Sequence, residues 1–379
     1  MFKKSLAAIA ILGAFGTSAI AANVSLYGVL DQGLAYEHVS TKNFFGDKTT
    51  SDEVGMVSGT NAPSRWGLKG SEELGNGLQV SFKLENGFEG DDGTLKQDGR
   101  LFGREASLSL SGNFGTISFG RMGGVGSSCG TYDLVYGTAE VFDGLDNDVG
   151  GLATSDRYDN MVTYQTPAIA GVQATLQYSF KQDAKDGQLK NEREGSANSN
   201  RYAAAALTGE FGNLNLVAAY EYQNYSNVWN LKKDGHTVYV GGNYNCGFAT
   251  TFAMAQYFKG ITSRELWYFD AEMSGQTLAD LGDDGIKGYG LHLGTSFPIA
   301  SGDLMVGLYF VDAKSENVPV FNTDVDLTYN GISARYVYPL SQRTSIYAGA
   351  GYAETKYEIL NASFKEKLTQ AYLGMSHSF

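Results

Sequence analysis

The chain has 379 residues and a formal net charge of -13, with 49 Gly, 24 Tyr and 21 Phe but only 5 Pro. Many short strands joined by glycine-containing turns give this profile, whereas a helical bundle or a doubly wound α/β domain does not. The acidic balance, without a basic patch, also argues against nucleic-acid binding.

The first 21 residues, MFKKSLAAIAILGAFGTSAIA, have the pattern of a secretory signal peptide. Lys3 and Lys4 precede an apolar run, and small residues follow at Ala19 and Ala21. A membrane anchor would need about 20 apolar residues, more than this run contains. We therefore predict that residues 1–21 are cleaved during export and that residues 22–379 form a single mature domain.

Beyond this segment the chain repeats runs of about ten residues in which apolar and polar side chains alternate. In VQATLQYSF, Val172, Ala174, Leu176 and Tyr178 alternate with polar residues. The same period is present in VSLYGVLDQG, SRWGLKG, LQVSFKLE and LMVGLYF. Such alternation is typical of strands whose two faces have different surroundings, which occur in soluble sandwiches as well as in membrane barrels.

The connections between these runs favour the membrane barrel, because short and long ones alternate. Seven short connections are predicted at 73–76, 112–115, 167–170, 209–213, 244–247, 298–303 and 339–343. Eight long ones are predicted at roughly 38–62, 86–99, 122–156, 181–200, 223–235, 259–287, 312–326 and 354–366. They join sixteen strands, and an even strand number with short periplasmic turns and long external loops is typical of outer-membrane barrels.

The last residues, YLGMSHSF, alternate to the very end of the chain. A closed barrel accounts for this ending, because the last strand pairs with the first and leaves no unpaired edge in lipid. We predict that alternate residues of this strand face lipid, namely Leu373, Met375, His377 and Phe379.

Five segments in register resemble the general, non-specific porins of Gram-negative outer membranes. They are VSLYGVLDQG, SRWGLKGSEELGNGL, RLFGREASLSLSGNFGTISFGR, YPLSQRTSIY and LGMSHSF, and the resemblance covers nearly the whole mature chain. It implies a sixteen-stranded barrel, a homotrimer in outer-membrane lipid, and passive diffusion of small hydrophilic solutes and ions. It also implies that the third external loop folds into the barrel, where its acidic residues face a cluster of basic residues on the wall.

Residues 122–156 are predicted to form this constriction loop. The chain can turn inward at the glycine pair after Met122, and the segment carries several acids but no Lys or Arg. The acids include Asp133, Glu140, Asp143, Asp146 and Asp148. The tip AEVFDGLDND departs from the Pro-Glu-Phe-Gly-Gly type of tip found in many relatives. Glu140 and Asp143 are the acids we expect to point into the channel.

The basic wall is predicted from strand parity and from the resemblance. Its members are Arg65, Lys69, Lys83, Arg121 and Arg157. Arg104 takes the outward parity of Ala106 and Leu108, so we expect it outside the channel. Ion preference stays open, because the net charge favours cations at long range whereas an arginine cluster favours anions at the narrowest point.

Two other function classes fit the sequence less well. Of the four histidines, only His292 takes lumen parity within a strand, and the sequence supplies no partner for it. Metal-binding spacings of the C-x₂-C or H-E-x-x-H kind are absent from the sequence, so we expect no enzyme, metal or cofactor. A substrate-specific channel for sugars or anions is the alternative, although the lumen-parity aromatics Tyr27, Tyr239 and Tyr309 occur singly.

Cys129 and Cys246 are predicted to be free thiols. The first lies in the constriction loop and the second in a periplasmic turn. A disulfide needs Cα atoms within about 7 Å, and these two places are separated by much of the barrel height.

Overall fold

A computed structural model describes residues 23–146, 149–183, 194–196, 198–225, 233–266, 268–273 and 276–379. The predicted signal peptide, residues 1–21, and Asp148 lie outside these ranges, so the cleavage and the role of Asp148 stay predictions. Within the described ranges, no helix has the length and apolar character that a membrane span requires.

Seventeen strands of the described residues form one antiparallel sheet. The first nine are β1 (Asn23–Lys42), β2 (Lys48–Ser58), β3 (Arg65–Gly75), β4 (Leu78–Gly87), β5 (Glu105–Gly112), β6 (Gly115–Gly123), β7 (Arg157–Gln165), β8 (Val172–Ser179) and β9 (Arg201–Phe211). The next three are β10 (Leu214–Asn224), β11 (Gly235–Asn245) and β12 (Thr250–Ile261), after which β13 (Glu272–Met273) and β14 (Gln276–Thr277) form a separate small hairpin outside this sheet. The last five are β15 (Ile286–Ile299), β16 (Gly302–Val318), β17 (Thr323–Pro339), β18 (Thr344–Ile359) and β19 (Ala362–Ser378).

The sheet closes on itself as a barrel. The first strand pairs with the last over a long register, from Val29 opposite Ser378 to Lys42 opposite Lys365. Both β2 and β3 pair with β1, along different halves of it, so they are two parts of one strand interrupted at residues 59–64. The barrel therefore has sixteen strands, which confirms the predicted fold.

Successive side chains of each strand point alternately to the outside and to the inside of the barrel, as expected for a strand whose two faces have different surroundings. In β10, Leu216 is exposed on the outside, whereas Val217 and Ala219 are buried on the inside. Large apolar side chains are exposed on the outside of most other barrel strands as well. An outer apolar band of this kind is what lipid contact demands.

The seven predicted short connections are confirmed, but three predicted long ones are wrong. Most of 38–62, 312–326 and 354–366 is strand, joined by tight turns. These segments are charged on the outer face, for example in the Lys314–Asp324 ion pair. A strand that continues above the lipid can be polar on both faces, so the loss of apolar alternation did not mark its end.

Two connections fold into the lumen and supply much of the buried core. The first is residues 124–156, here named loop 3, which joins β6 to β7 and contains a helical turn at Tyr136–Ala139. The second is residues 262–285, here named loop 6, which joins β12 to β15. Buried side chains of both, such as Val149 and Phe269, belong to one apolar cluster with the inner faces of the strands.

Candidate channel constriction

Loop 3 enters the barrel at an irregularity in the β6–β7 pairing. The register shifts between Gly120 and Met122, and Gly120 has φ of +132°. A Cβ on Gly120 would lie 2.0 Å from the carbonyl oxygen of Ala106, so only glycine fits this bend. Arg121 continues the strand and β6 ends at Gly123, so the inward segment is two residues shorter than the predicted 122–156.

Glycines on the inner face of the barrel let loop 3 lie close against the wall. A Cβ on Gly307 would be 2.8 Å from the Phe142 ring, and one on Gly351 would be 2.8 Å from a methyl group of Val149. Gly241, Gly290, Gly294 and Gly331 make the same kind of close approach to loop 3. These glycines run across strands β11 to β18, so the wall is shaped to receive the loop.

Glu140 is an anchor of the loop and does not face the channel. Its Oε2 accepts hydrogen bonds from three backbone N–H groups of the loop tip, each at 3.0 Å. Its Oε1 accepts a hydrogen bond from the Tyr309 hydroxyl at 2.6 Å, and the residue is buried. The expectation that Glu140 points into the channel is therefore wrong, because its buried carboxylate accepts hydrogen bonds that hold the loop tip.

Asp146 is a second anchor within the loop. It is fully buried and accepts hydrogen bonds from Arg335 at 2.7 Å, from Tyr372 at 2.6 Å and from Ser333. Arg335 also binds Asn61 and stacks over the Phe142 ring at 4.7 Å. The sequence prediction missed Arg335, although its lumen parity in SARYVYP was readable.

A cavity of about 620 Å³ is left between loop 3 and the opposite wall. Its wall side carries Arg65, Lys83, Arg104 and Arg157, and its loop side carries Asp133 and Asp143. The structure thus brings together three of the five predicted basic residues and two of the predicted acids. Cys129 also lines this cavity, and both cysteines are free thiols as predicted.

Two buried acids hold the basic side chains in place. Glu85 accepts from Arg104 Nε at 2.7 Å and from the Tyr27 hydroxyl at 2.8 Å. Glu105 accepts from Lys83 Nζ at 2.9 Å and from the loop residue Thr131 at 2.7 Å. Glu85 lines the cavity but is only 4% exposed, and Glu105 does not line it, so the more exposed Arg65 and Lys83 are the wall charges that a solute would meet.

Asp133 and Asp143 form a carboxyl pair on the loop side. Asp143 adopts φ of 55°, and the backbone N–H of Gly137 donates to Asp133 at 3.0 Å. Burial raises the pKa of Asp133 well above its usual value, and the neighbouring Asp143 charge raises it further. The pKa of Asp143 is raised too, mainly by burial and then by Glu140. The pair therefore holds a proton more readily than a solvated aspartate does.

Three basic residues do not lie where the sequence analysis put them. Arg121 is not among the residues that line the cavity, and its side chain binds Asp159 at 2.8 Å and Gly103 O at 2.8 Å. Lys69 is exposed on β3 and lies over the Tyr27 ring at 5.1 Å, outside the cavity lining. Arg104 lines the cavity, since it precedes β5 and strand parity does not govern it.

His292 finds its partners in loop 3. Its Nδ1 is 3.1 Å from Leu308 O, its Nε2 is 3.4 Å from Val141 N, and Glu140 Oε1 lies 3.9 Å from Nε2. In this arrangement Nδ1 donates and Nε2 accepts from the loop backbone. The imidazole therefore holds the loop tip instead of activating a nucleophile.

Loop 6 lies on loop 3 and is fixed to the same side of the barrel. The backbone N–H of Thr154 donates to Glu265 O at 2.9 Å, which joins the two loops. Phe269 packs edge-on against Tyr357, and Ala271 N donates to the Tyr357 hydroxyl at 3.1 Å. Both loops thus fill one side of the lumen and leave the basic wall side open.

Comparisons with known proteins give a consistent picture. Residues 5–357 match the family model described as Gram-negative porin. An outer membrane porin protein of Bordetella pertussis is 32% identical over 100% of both chains. Outer membrane porin protein 32 of Delftia acidovorans is 29% identical over 93% of this chain and 90% of its own. Among solved structures, an anion-selective porin from Comamonas acidovorans covers 95% of this chain and 100% of its own, with a TM-score of 0.63 at 24% identity.

A closed barrel with an apolar outer face and an inward-folded loop defines a membrane-spanning channel. The chain belongs to the Gram-negative porin family. It is an outer-membrane porin that allows passive diffusion of solutes, and the family indicates a channel rather than an enzyme.

Proposed function

We propose that this porin prefers anions, and that Arg65, Lys83, Arg104 and Arg157 set the preference at the cavity beside loop 3. The observation that carries the proposal is the difference in exposure between the charges. The side chains of Arg65 and Lys83 are 27% and 25% exposed, whereas those of Glu85 and Glu105 are 4% and 1% exposed. On the wall side of the cavity a permeating ion therefore meets cations first, although the whole chain is acidic.

The arrangement of loop 3 supports the same proposal. Asp133 and Asp143 stand across the cavity from the basic wall, and their shared tendency to hold a proton weakens the opposing negative charge. Charges that line a narrow pore act most strongly on selectivity. The printed description of the Comamonas acidovorans structure as an anion-selective porin agrees with this proposal.

We also propose that the mature protein begins after Ala21 and assembles as a homotrimer in outer-membrane lipid. The trimer form of OmpT of Vibrio cholerae has the same fold, with a TM-score of 0.58, which supports the assembly by analogy. In the membrane, Leu373, Met375, His377 and Phe379 would face lipid, and all four are exposed on the barrel exterior. Lipid contact of this strand stays a prediction.

The test is the single-channel reversal potential in a KCl gradient, comparing wild type with Arg65→Ala/Arg157→Ala. We expect wild type to favour chloride, and the variant to move several-fold toward potassium. Arg343→Ala, in an exposed short connection, is the matched control and should leave the potential unchanged. An unchanged potential in the double variant would overturn the role of this wall.

The alternative is a substrate-specific channel for one sugar or anion. Liposome swelling separates the two cases. Flux that falls smoothly with solute size indicates a general pore, whereas saturation by one solute indicates a specific site.

A further inference from the structure

A second, smaller cavity lies among the long connections, next to the constriction. It has a volume of about 130 Å³ and is here named the outer pocket; the residues used below are Gln97, Arg100, Arg157, Tyr225 and Glu265. They come from three different connections and from the start of β7. Arg157 lines both the outer pocket and the constriction cavity, so the two cavities meet at its side chain.

Three buried polar atoms of the outer pocket have no hydrogen-bond partner within the described part of the chain. They are Arg157 Nε, Gln97 Oε1 and the Tyr225 hydroxyl oxygen. Buried polar groups are almost always hydrogen-bonded, so three such atoms around one cavity need an explanation. A bound solute could supply the missing partners.

Four arginines line the outer pocket, and three of them, Arg100, Arg121 and Arg264, already have partners. Arg100 is held by Asp159 at 3.1 Å and by Asp183, and Arg121 is held by Asp159. Arg157 makes no ion pair with a described carboxylate. Its guanidinium is planar and weakly hydrated, and this suits it to an oxyanion.

We propose that the outer pocket binds a small carboxylate that also carries a hydroxyl group, before the solute passes the constriction. The carboxylate would accept from Arg157 Nε, and the hydroxyl would donate to Gln97 Oε1. The Tyr225 hydroxyl can donate or accept and completes the set. This inference rests on the proposed anion preference, because it places a solute site on the same path.

The three groups are held in position before any solute arrives. Gln97 packs against two glycines. A Cβ added to Gly87 would lie 2.5 Å from Gln97 Oε1, and a Cβ added to Gly103 would lie 2.5 Å from the Cβ of Gln97. The Tyr225 backbone N–H donates to Asp234 at 3.1 Å, and its hydroxyl lies against Gly235. Glu265 is held by the Thr262 backbone and hydroxyl, at 2.9 and 2.7 Å. Such preorganisation lowers the entropy cost of binding.

Glu265 gives the site a dependence on pH. The charged groups that line the pocket with it are Asp98, Arg100, Arg121, Asp156, Arg157, Asp183 and Arg264. Burial raises the pKa of Glu265 to about 7. Below that pH the carboxyl is neutral, so one negative charge beside the bound oxyanion disappears. Binding should therefore strengthen as the pH falls from 8 to 6, and Glu265→Gln should remove this change.

The experiment adds lactate to the external side of single channels in a bilayer and counts current interruptions. In wild type, lactate should interrupt the current at lower concentration than acetate, which lacks the hydroxyl. Gln97→Leu and Tyr225→Phe should each raise the half-blocking lactate concentration about tenfold, the loss of about 1.4 kcal/mol. Both should leave the KCl conductance and reversal potential unchanged, since neither residue lines the constriction cavity.

Lys83→Gln is the matched control, because Lys83 lines the constriction cavity but not the outer pocket. It should move the reversal potential and leave the half-blocking concentration unchanged. Equal block by lactate and acetate, or wild-type block in both pocket variants, would overturn the site. If substitutions of the basic wall, such as Arg65→Ala/Arg157→Ala, still moved the reversal potential toward potassium, only this inference would fail, and the proposed anion preference would stand.

Discussion

Arg335 Nη2 lies 2.7 Å from Asp146 Oδ1, in an ion pair whose side chains are only 2% and 0% exposed. The pair joins strand β17 to loop 3, and Tyr372 and Asn61 share it. A charge buried so deeply is stable only with its partner. The position of loop 3 in the lumen therefore depends on this pair.

The first prediction concerns Arg335→Leu. Removal of one partner of a buried ion pair costs about 3–5 kcal/mol, because the other charge is left uncompensated. We expect loop 3 to leave the wall, which would give larger and noisier single-channel currents. Lys314→Leu removes a partner from the partly exposed Lys314–Asp324 pair, also at 2.7 Å, and should leave the currents unchanged. Wild-type conductance in Arg335→Leu would show that the pair does not hold the loop.

The second prediction concerns pH and the carboxyl pair Asp133 and Asp143. Because burial raises both pKa values, the pair takes up a proton at a pH where a solvated aspartate, with a usual pKa of 3.8, is still ionised. As the pH falls from 8 to 5, the loop side loses negative charge and the anion preference should grow.

The measurement is the reversal potential across this pH range. Asp133→Asn/Asp143→Asn should prefer anions strongly at every pH and show a flat profile. Glu265→Gln should keep the slope of wild type, because Glu265 lies in the outer pocket and not in this cavity. A slope retained in the double variant would assign the titration to other groups.

The third prediction concerns the contact between Gly351 and Val149. A Cβ at position 351 would lie 2.8 and 3.1 Å from the two methyl groups of Val149, so Gly351→Ala should push loop 3 toward the open cavity and lower the conductance. Gly351→Ala/Val149→Ala removes these methyl groups and should restore it. Gly55→Ala is the control, since a Cβ there meets nothing within 4 Å. Failure of the second substitution to restore conductance would argue against a direct steric effect.

Strand parity predicted the barrel and much of the wall, because alternation follows directly from the two solvents of the sheet. It put Arg65 and Lys83 on the lumen face, and both line the cavity. It misplaced Arg104, which lies just outside a strand, and the resemblance misassigned Arg121, whose own parity pointed the other way.

The role of each loop acid could not be read from sequence. Glu140 accepts a hydrogen bond from Tyr309, and Asp146 accepts hydrogen bonds from Arg335 and Tyr372. These partners are far away in sequence, and only the folded barrel brings them together. Loop 6 was also unpredictable, because its inward position depends on aromatic contacts between segments far apart in sequence, such as Phe269 with Tyr357.

The last prediction concerns Phe379, where the chain ends inside the sheet. Its backbone N–H donates to Gly28 O and its carbonyl accepts from Gly28 N, both at 3.0 Å, and a Cβ on Gly28 would lie 2.3 Å from the ring. Deletion of Phe379 leaves both Gly28 groups unpaired at the seam. Two lost hydrogen bonds of about 0.5–1.5 kcal/mol each lower the free energy of unfolding by about 1–3 kcal/mol.

Urea unfolding of the refolded protein, followed by the electrophoretic mobility of unheated samples, measures this loss. Phe379→Ala keeps the backbone pairing and loses only the ring, so it should be less destabilised than the deletion. A deletion variant with the urea midpoint of wild type would mean that the seam closes without the last residue. The larger effect of the deletion is expected because closure of the barrel depends on backbone pairing, to which a terminal side chain adds only packing.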